Sequence, residues 1–237
     1  NPSDEKLTYT IEMEAEVEQL SAGVCFSITD DGSYYMWQFN ASNPLHPCLR
    51  PHRWLGGSVS LLGEVDLPTE LNIQAGHPFR IRLEVEDEAY LRTYINNILV
   101  DERGGSFAFG RIGFRGSHDD AYGKTEIAWF DNVSIAVTSG SRSAGVVFSE
   151  DFSASNPFSE GTIEGGRLKV AGQMSRDVLA WLREMPDAIS SPLKGEEGRG
   201  SSVYDLSGRK IVNSDSSNRK LHQGVFIVDG KKRLARK

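Results

Sequence analysis

Two neighbouring segments of the chain, residues 34–40 and 48–54, carry aromatic and planar polar side chains at alternate positions. Successive side chains of a β-strand point to opposite faces, so each segment divides into two sets. Aromatic rings stack against the C–H surfaces of sugars, and planar polar groups form hydrogen bonds with hydroxyl groups. The side chains predicted to bind a sugar in this way are Trp37, Gln38, Arg50, His52 and Trp54.

A hairpin between the two segments would bring most of these side chains together. With its turn at Asn43, Arg50 and the residues on the same face lie beside Gln38 and form a polar platform with an aromatic edge. Core packing is the competing interpretation for Trp37, because a sandwich fills its interior with large aromatic side chains. Arg50 and Trp54 could also simply stack on each other.

The nearest approach to a hydrolytic carboxylate pair is Glu64 and Asp66, at alternate positions of a predicted strand end. Retaining glycoside hydrolysis needs a nucleophile and an acid/base about 5 Å apart. A third carboxylate, Glu70, is displaced from this spacing, and Pro68 interrupts the strand. A strand end that runs into a turn is therefore the better interpretation, and we assign no catalytic residue.

The chain holds two cysteines, Cys25 and Cys48, without a CxxC pair or a Cys/His cluster. A structural zinc site is therefore not expected. A disulfide between the two cysteines and two separate buried thiols are both compatible with the sequence.

Strand-forming segments recur along the chain and predict an all-β fold. Residues 7–19 alternate with period two, with apolar residues on one face and glutamates on the solvated face. Asp30-Asp31-Gly32 and Ile95-Asn96-Asn97-Ile98 are signals for tight hairpins. The predicted class is an antiparallel jelly-roll β-sandwich. Its predicted strands are 7–19, 23–29, 34–40, 48–54, 79–86, 91–101, 107–115 and 125–137.

Composition excludes several function classes. The 237 residues include 26 Lys and Arg against 33 Asp and Glu, a formal charge of −7, which argues against nucleic acid as a partner. No run approaches the ~18 apolar residues of a membrane span. The chain begins at Asn1 without an initiator Met or an apolar leader, as a mature exported protein or a trimmed chain would.

The sequence divides into three regions. Residues 1–182 are predicted to be the sandwich, although 143–182 could instead begin a truncated second one, and 177–181 could be a strand or a short helix. Residues 183–201 are rich in Pro, Gly, Ser and Glu and are predicted to be a linker. Residues 202–237 are predicted to form a small β-hairpin unit, with Val203–Ile211 and Gly224–Lys232 as its two halves.

Several segments together resemble a known family. Tyr34-Tyr35-Met36-Trp37-Gln38-Phe39, Leu49-Arg50-Pro51-His52-Arg53-Trp54 and Trp129-Phe130-Asp131-Asn132-Val133 resemble the concanavalin A-like, or laminin-G-like, jelly-roll module. Within this family, they resemble the accessory sandwich that lies N-terminal to the catalytic domain of Bacteroidetes α-L-rhamnosidases. The resemblance covers roughly residues 5–182 and includes nothing like the helical catalytic barrel of those enzymes.

The tail resembles a different family. Val203-Tyr204-Asp205-Leu206-Ser207-Gly208-Arg209-Lys210-Ile211 followed by Gly224-Val225-Phe226-Ile227-Val228-Asp229-Gly230 is similar to the C-terminal sorting domain of secreted Bacteroidetes proteins. This resemblance implies passage across the outer membrane. A small β-unit that merely ends the chain is the alternative interpretation.

The resemblances imply a function and a location. We expect a non-catalytic carbohydrate-binding or accessory module that binds polysaccharide or oligosaccharide, secreted or at the bacterial cell surface. A jelly-roll glycoside hydrolase using Glu64 and Asp66, and a structural protein-interaction sandwich, are the alternatives. No cofactor is expected, although laminin-G-like relatives imply a possible calcium site. Its candidate ligands here are Asp30, Asp31, Asp119 and Asp120.

Overall fold

The structure is a computed structural model that describes residues 6–43, 45–120, 123–138, 145–174 and 176–184, together with four strands beyond residue 201. The chain divides into two compact units, Asn1–Ala188 and Ile189–Lys237. Most of the predicted linker, from residue 185 onward, lies outside the described residues. The candidate site belongs to the first unit.

The first unit is built from β-strands and a 3₁₀ turn at Thr69–Leu71. Within the described residues, no helix has the length and apolar character to cross a membrane. The strands are β1 Thr8–Gln19, β2 Ser21–Ile28, β3 Tyr34–Asn40, β4 Cys48–Leu55, β5 Ser58–Leu61, β6 Val65–Asp66, β7 Phe79–Glu86, β8 Tyr90–Ile95, β9 Ile98–Gly104, β10 Arg111–Gly116, β11 His118–Asp119, β12 Lys124–Thr125, β13 Ile127–Thr138, β14 Gly145–Glu150, β15 Thr162–Glu164, β16 Arg167–Ala171 and β17 Val178–Trp181.

Two antiparallel sheets form the sandwich. The eight-stranded sheet has the order β15-β16-β13-β1-β7-β8-β9, with β14 also paired to β13. The seven-stranded sheet has the order β17-β10-β2-β3-β4-β5, with β6 also paired to β4. Strands β11 and β12 form a small separate hairpin. The predicted all-β antiparallel sandwich is confirmed.

Strands after residue 143 pair with both sheets. Strands β14 and β16 add to β13 of the eight-stranded sheet, and β17 pairs with β10 of the seven-stranded sheet. The segment 177–181, for which the sequence allowed a strand or a helix, is a strand. The predicted hairpin at Asn96 and Asn97 is also present, and both residues have positive φ, which two-residue hairpin turns require.

The outer face of the eight-stranded sheet is charged, as the alternation of residues 7–19 predicted. Glu12 pairs with Arg80 at 3.3 Å, and Glu16 pairs with Arg167 at 2.8 Å. The alternate residues of β1, among them Ile11 and Met13, are buried in the core. This sheet therefore presents a ladder of ion pairs to solvent and an apolar face to the interior.

The interior is filled by large side chains of the seven-stranded sheet. Trp37 and Phe39 are fully buried, and the ring of Phe26 meets Trp37 edge-on at 4.9 Å between centroids. The indole Nε1–H of Trp37 crosses the core and donates a 2.9 Å hydrogen bond to the hydroxyl of Thr93 on the opposite sheet. This bond satisfies two polar groups that are both removed from water.

The second unit contains a four-stranded antiparallel sheet. Its strands are β18 Ser202–Tyr204, β19 Lys210–Asn213, β20 Gly224–Val228 and β21 Lys231–Ala235, in the order β19-β18-β20-β21. Both halves of the tail motif contribute strands. Residues 205–209 and 229–230 of the motif lie outside the described residues.

We predict that the bond between Trp37 and Thr93 stabilises the sandwich measurably. Thr93→Val keeps the shape but leaves the indole N–H unpaired, so the free energy of unfolding should fall by about 1–3 kcal/mol. Urea denaturation measures this change. Thr10→Val, on the outer face of the eight-stranded sheet, is the control and should change stability by less than about 0.5 kcal/mol. Equal stability of the Thr93 variant and the unmodified protein would show that the bond contributes nothing.

Candidate functional site

A cavity of about 950 Å³ lies on the outer face of the seven-stranded sheet. This volume is within the range of small-molecule sites. Strands β3, β4 and β5 form its floor and one side, and the β11–β12 segment with its flanking residues forms another. Its lining residues are Leu20, Met36, Gln38, Asn40, Ser42, Arg50, His52, Trp54, Val59, Leu61, Arg115, Ser117, His118, Asp119, Asp120, Lys124 and Glu126.

Four of the five predicted site residues line this cavity. Strands β3 and β4 pair as the sequence predicted, with Gln38 opposite Arg50 and Met36 opposite His52. Trp54 follows on the same face of β4, opposite Tyr34. Gln38, Arg50, His52 and Trp54 therefore belong to one surface.

Trp37 does not belong to that surface, and its prediction as a ligand-binding residue is wrong. Its side chain is fully buried between the sheets and its N–H is bonded to Thr93. Alternation along β3 requires this outcome, because Gln38 on the next position faces the cavity. Trp37 packs in the core, which is the alternative that the sequence allowed for it.

A row of residues crosses four strands at the centre of the cavity. Arg115 on β10 is opposite Gly23 on β2, Gly23 is opposite Gln38 on β3, and Gln38 is opposite Arg50 on β4. A Cβ atom at position 23 would lie 2.8 Å from the backbone oxygen of Arg115, so a larger residue cannot fit without a shift. Glycine is therefore the residue that allows β2 to lie this close to Arg115.

Glu126 is the polar centre of the site and is itself buried. Its Oε1 accepts hydrogen bonds of 2.6 Å from the Ser21 hydroxyl and 2.6 Å from the Gln38 amide. Its Oε2 accepts a 2.8 Å bond from the backbone N–H of Ser117 and lies 3.6 Å from Arg115. Four groups from three segments, β2, β3 and the end of β10, therefore converge on one carboxylate.

Arg115 connects this centre to the far edge of the sheet. Its guanidinium bonds Asp177 at 2.7 Å and lies 5.6 Å from the ring centroid of Trp54. Burial lowers the pKa of Arg115, but the neighbouring Glu126 and Asp177 outweigh this effect and raise the pKa above its ordinary value. The side chain is therefore a permanent cation held by two acids.

Trp54 is packed by aromatic neighbours beside the cavity. Its ring stacks on Tyr34 with centroids 4.9 Å apart, and Tyr34 meets Trp181 edge-on at 5.2 Å. The ring of His52 lies 5.8 Å from Trp54. The stacking between Arg50 and Trp54 that the sequence allowed is replaced by the contact with Tyr34.

His52 is held in one orientation by the backbone. Its Nδ1 lies 2.8 Å from the carbonyl oxygen of Arg50. Burial lowers the pKa of His52, and the positive charges of Arg50 and Arg115 lower it further, against a raising effect of the backbone hydrogen bond. The imidazole is therefore neutral at pH 7.

The β11–β12 segment contributes charged groups to the cavity. Of these, the sequence analysis had named only Asp119 and Asp120, as candidate calcium ligands. His118 bonds the hydroxyl of Thr125 at 2.9 Å and lies 3.6 Å from Asp120. Asp119 and Lys124 are paired residues of the two strands and also line the cavity.

The aspartates proposed for calcium do not form one site. Asp30 contacts Arg111 at the start of β10, whereas Asp119 follows the opposite end of that strand. Among the described residues, no group of three or more His, Cys, Asp or Glu side chains is placed to hold a metal ion.

Glu64 and Asp66 lie at the edge of the seven-stranded sheet, outside the lining of the cavity. Glu64 Oε2 lies 3.2 Å from Arg50 Nε, an ion pair without an aligned hydrogen bond. The predicted alternative pair for hydrolysis is therefore not positioned across the cavity.

Both cysteines are free, so of the two arrangements that the sequence allowed the structure has separate thiols. Cys25 is fully buried beneath the outer face, where burial raises its pKa. Burial also raises the pKa of the half-buried Cys48.

The sequence analysis missed Arg115 and Glu126, which organise the site. The alternation of buried Ile112 and Phe114 already implied that Arg115 faces outward on β10. No local signal marked Glu126, because its role comes from contacts with Ser21 and Gln38, which are distant in sequence.

No protein-family model matches the chain, and no curated protein matches it. Solved structures that match part of the chain include the carbohydrate binding module CBM66 from Bacillus subtilis, with 18% identity and a TM-score of 0.42, covering 54% of this chain and 74% of that one. Sheep galectin-11 in complex with glycerol matches with 13% identity and a TM-score of 0.35, covering 60% of this chain and 96% of that one. The carbohydrate recognition domain of Emp47p matches with 16% identity and a TM-score of 0.30, covering 44% of this chain and 63% of that one.

Proposed function

We propose that the first unit is a non-catalytic carbohydrate-binding module that binds polysaccharide or oligosaccharide in the cavity on its seven-stranded sheet. The observation that carries this proposal is the convergence of Gln38, Arg50, His52 and Trp54 on one cavity of about 950 Å³. Amide, guanidinium and imidazole groups provide directional hydrogen bonds for hydroxyls, and Trp54 provides an aromatic edge.

The carboxylates of the cavity support binding rather than hydrolysis. A glycosidase needs one carboxylic acid and one carboxylate facing each other across the scissile bond. Glu126 is occupied by hydrogen bonds from Ser21, Gln38 and Ser117. Asp120 lies beside His118. Glu126, held by three hydrogen bonds, is therefore not free to act as an acid or as a nucleophile.

The wider setting of the module is also part of the proposal. The resemblance of residues 5–182 to the accessory sandwich of Bacteroidetes α-L-rhamnosidases supports a place in a glycan-utilisation protein. The resemblance of the tail to sorting domains supports secretion or attachment to the cell surface of a bacterium.

The proposal is tested by a glycan array and calorimetry on the full chain, with reducing-sugar release followed in the same samples. We expect saturable binding of at least one polysaccharide from a panel of plant glycans, including rhamnose-containing ones, and glucans. We expect no release of reducing sugar. Release would establish hydrolysis instead, and no binding to any member of the panel would favour a protein-interaction sandwich.

We predict that Arg50→Ala lowers affinity for the glycan at least tenfold without unfolding the protein. Arg50 contributes cavity hydrogen bonds, and its half-exposed ion pair with Glu64 adds ~0–1 kcal/mol to stability. The matched control is Arg92→Ala, which removes a similarly exposed pair with Glu86 from the other sheet. Isothermal titration calorimetry measures affinity and urea denaturation measures stability. Equal affinity of the two variants would remove Arg50 from the site.

We also predict that Glu126 acts through structure. Glu126→Gln places an amide N–H₂ among the donors of Ser21, Gln38 and Ser117, so the free energy of unfolding should fall by about 1–3 kcal/mol. Urea denaturation measures the loss, with Glu70→Gln in the exposed 3₁₀ turn as the control. A variant with full stability would contradict this role.

A further inference from the structure

Resting on the proposed carbohydrate-binding function, we propose that the cavity selects neutral sugars and rejects glycans that carry carboxylate or sulfate groups. The sugar would donate hydroxyl protons to two acceptors on the cavity floor, Gln38 Oε1 and His52 Nε2. This selectivity follows from which atom of each side chain already makes a hydrogen bond within the protein and which atom remains for a ligand.

The orientation of the Gln38 amide is determined by its neighbour. Its nitrogen lies 2.6 Å from Oε1 of Glu126 and 3.2 Å from the hydroxyl of Ser21. A carboxylate oxygen can only accept, so the amide atom facing it must be the N–H₂ group. The carbonyl oxygen of Gln38 therefore points away from Glu126.

That carbonyl oxygen is available to a ligand. Within the described part of the chain, no hydrogen bond reaches Oε1 of Gln38, and the atom is not among the buried polar atoms that lack a partner. It therefore reaches solvent, and Gln38 lines the cavity. Gln38 therefore presents a hydrogen-bond acceptor to the cavity.

The tautomer of His52 follows from the same reasoning. The carbonyl oxygen of Arg50 accepts only, so the proton of the neutral imidazole lies on Nδ1, 2.8 Å away. Nε2 then carries a lone pair. Among the described residues, nothing donates to this nitrogen, and it too is absent from the buried unpaired atoms. Nε2 of His52 is thus a second hydrogen-bond acceptor in the cavity.

The two acceptors are close enough to serve one sugar. Gln38 and Arg50 are directly opposite on β3 and β4, and His52 is the next residue of β4 on the same face. Gln38 and His52 are therefore diagonal neighbours across the strand pair, ~7–8 Å apart at the backbone and within reach of a common ligand. The guanidinium of Arg50 adds donors between them.

Hydroxyl groups match this pattern, and anions do not. A hydroxyl can donate to an acceptor and accept from Arg50 at the same time, whereas a carboxylate or sulfate in its place has no proton to donate to Gln38 or His52. A site built to receive a hydroxyl proton discriminates strongly against a group that lacks one.

The charges of the cavity agree with a neutral ligand. Among the described residues that line it, Arg50, Arg115 and Lys124 are balanced by Asp119, Asp120 and Glu126. Arg115 is held by Glu126 and Asp177, and Arg50 lies against Glu64. The cavity therefore has no excess of positive charge that would attract an acidic glycan.

Calorimetry on the full chain at 0.15 M salt tests the selectivity. The probes are matched pairs: methyl-esterified polygalacturonate with polygalacturonate, pullulan with carboxymethyl-pullulan, and dextran with dextran sulfate. We expect any binding to favour the neutral member of a pair by at least tenfold. An acidic member that binds as well as its neutral counterpart would overturn this inference and leave the proposed function intact. A panel in which nothing binds would overturn both.

Variants test the two acceptors. Gln38→Met and His52→Phe should each weaken binding of the neutral glycan at least fivefold, the loss expected for one hydrogen bond. Gln38→Met also removes the amide donor to Glu126, so urea denaturation is measured beside affinity for both variants. Gln74→Met is the first control. His77→Phe is the second, because His77 makes the same Nδ1 contact, 3.0 Å from the carbonyl of Ala75, away from the cavity. Unchanged affinity in both cavity variants would overturn the assignment of the acceptors.

The pH dependence of glycan binding distinguishes a hydrogen-bonding role of His52 from a purely structural one. Because the pKa of His52 is lowered, its neutral form and its acceptor persist at and above its ordinary pKa of ~6.5, and binding should weaken only at lower pH. His52→Phe should abolish this dependence. The charged and titratable groups that line the cavity with His52 are Arg50 on β4, Arg115 on β10, His118, Asp119, Asp120 and Lys124 on the β11–β12 segment, and Glu126 just before β13. A pH dependence that persists in His52→Phe would belong to one of those groups and would contradict the role of His52.

Discussion

Alternation of side chains along β3 and β4 is the constraint on which both the core and the cavity depend. Trp37 and Gln38 are consecutive residues, yet one is fully buried between the sheets and the other lines the cavity. A shift of register by one residue would exchange them, leaving an indole in water and an amide in the core. The hydrogen bond from Trp37 to Thr93 on the opposite sheet opposes such a shift. Packing of the interior therefore determines which polar groups face a ligand.

The buried carboxylate of Glu126 has the corresponding role on the outer face. Burial of a charged group is unfavourable unless hydrogen bonds and opposite charges compensate for it. Here the Ser21 hydroxyl, the Gln38 amide, the Ser117 N–H and the Arg115 guanidinium do so. These contacts join β2, β3, β10 and the segment before β13. A floor held in this way is pre-organised, so little conformational freedom is lost when a ligand binds.

The two outer faces of the sandwich differ in what they offer. On the eight-stranded sheet, acidic and basic residues such as Glu12 and Arg80 neutralise each other along a solvated ladder. On the seven-stranded sheet, Gly23 allows close approach of Arg115, and the adjoining β11–β12 segment provides a wall of the cavity. Among the described residues, the cavity of about 950 Å³ lies on the seven-stranded sheet, whereas the eight-stranded sheet carries a much smaller one of about 70 Å³. The proposed binding role and the proposed preference for neutral sugars both rest on this difference.

Local pattern was enough to assign the all-β class, the strands from 34 to 40 and 48 to 54, and the platform of Gln38, Arg50, His52 and Trp54. Period-two alternation and turn residues are properties of neighbouring positions, so they can be read without knowing the rest of the fold. The same pattern could not decide between core and ligand for Trp37. Its hydrogen-bond partner lies 56 residues away, and Glu126 lies 88 residues from Gln38. Such contacts depend on which strands become neighbours in the sheets and on how the sheets pack. Only the tertiary structure decides these arrangements, because no short stretch of sequence contains both partners.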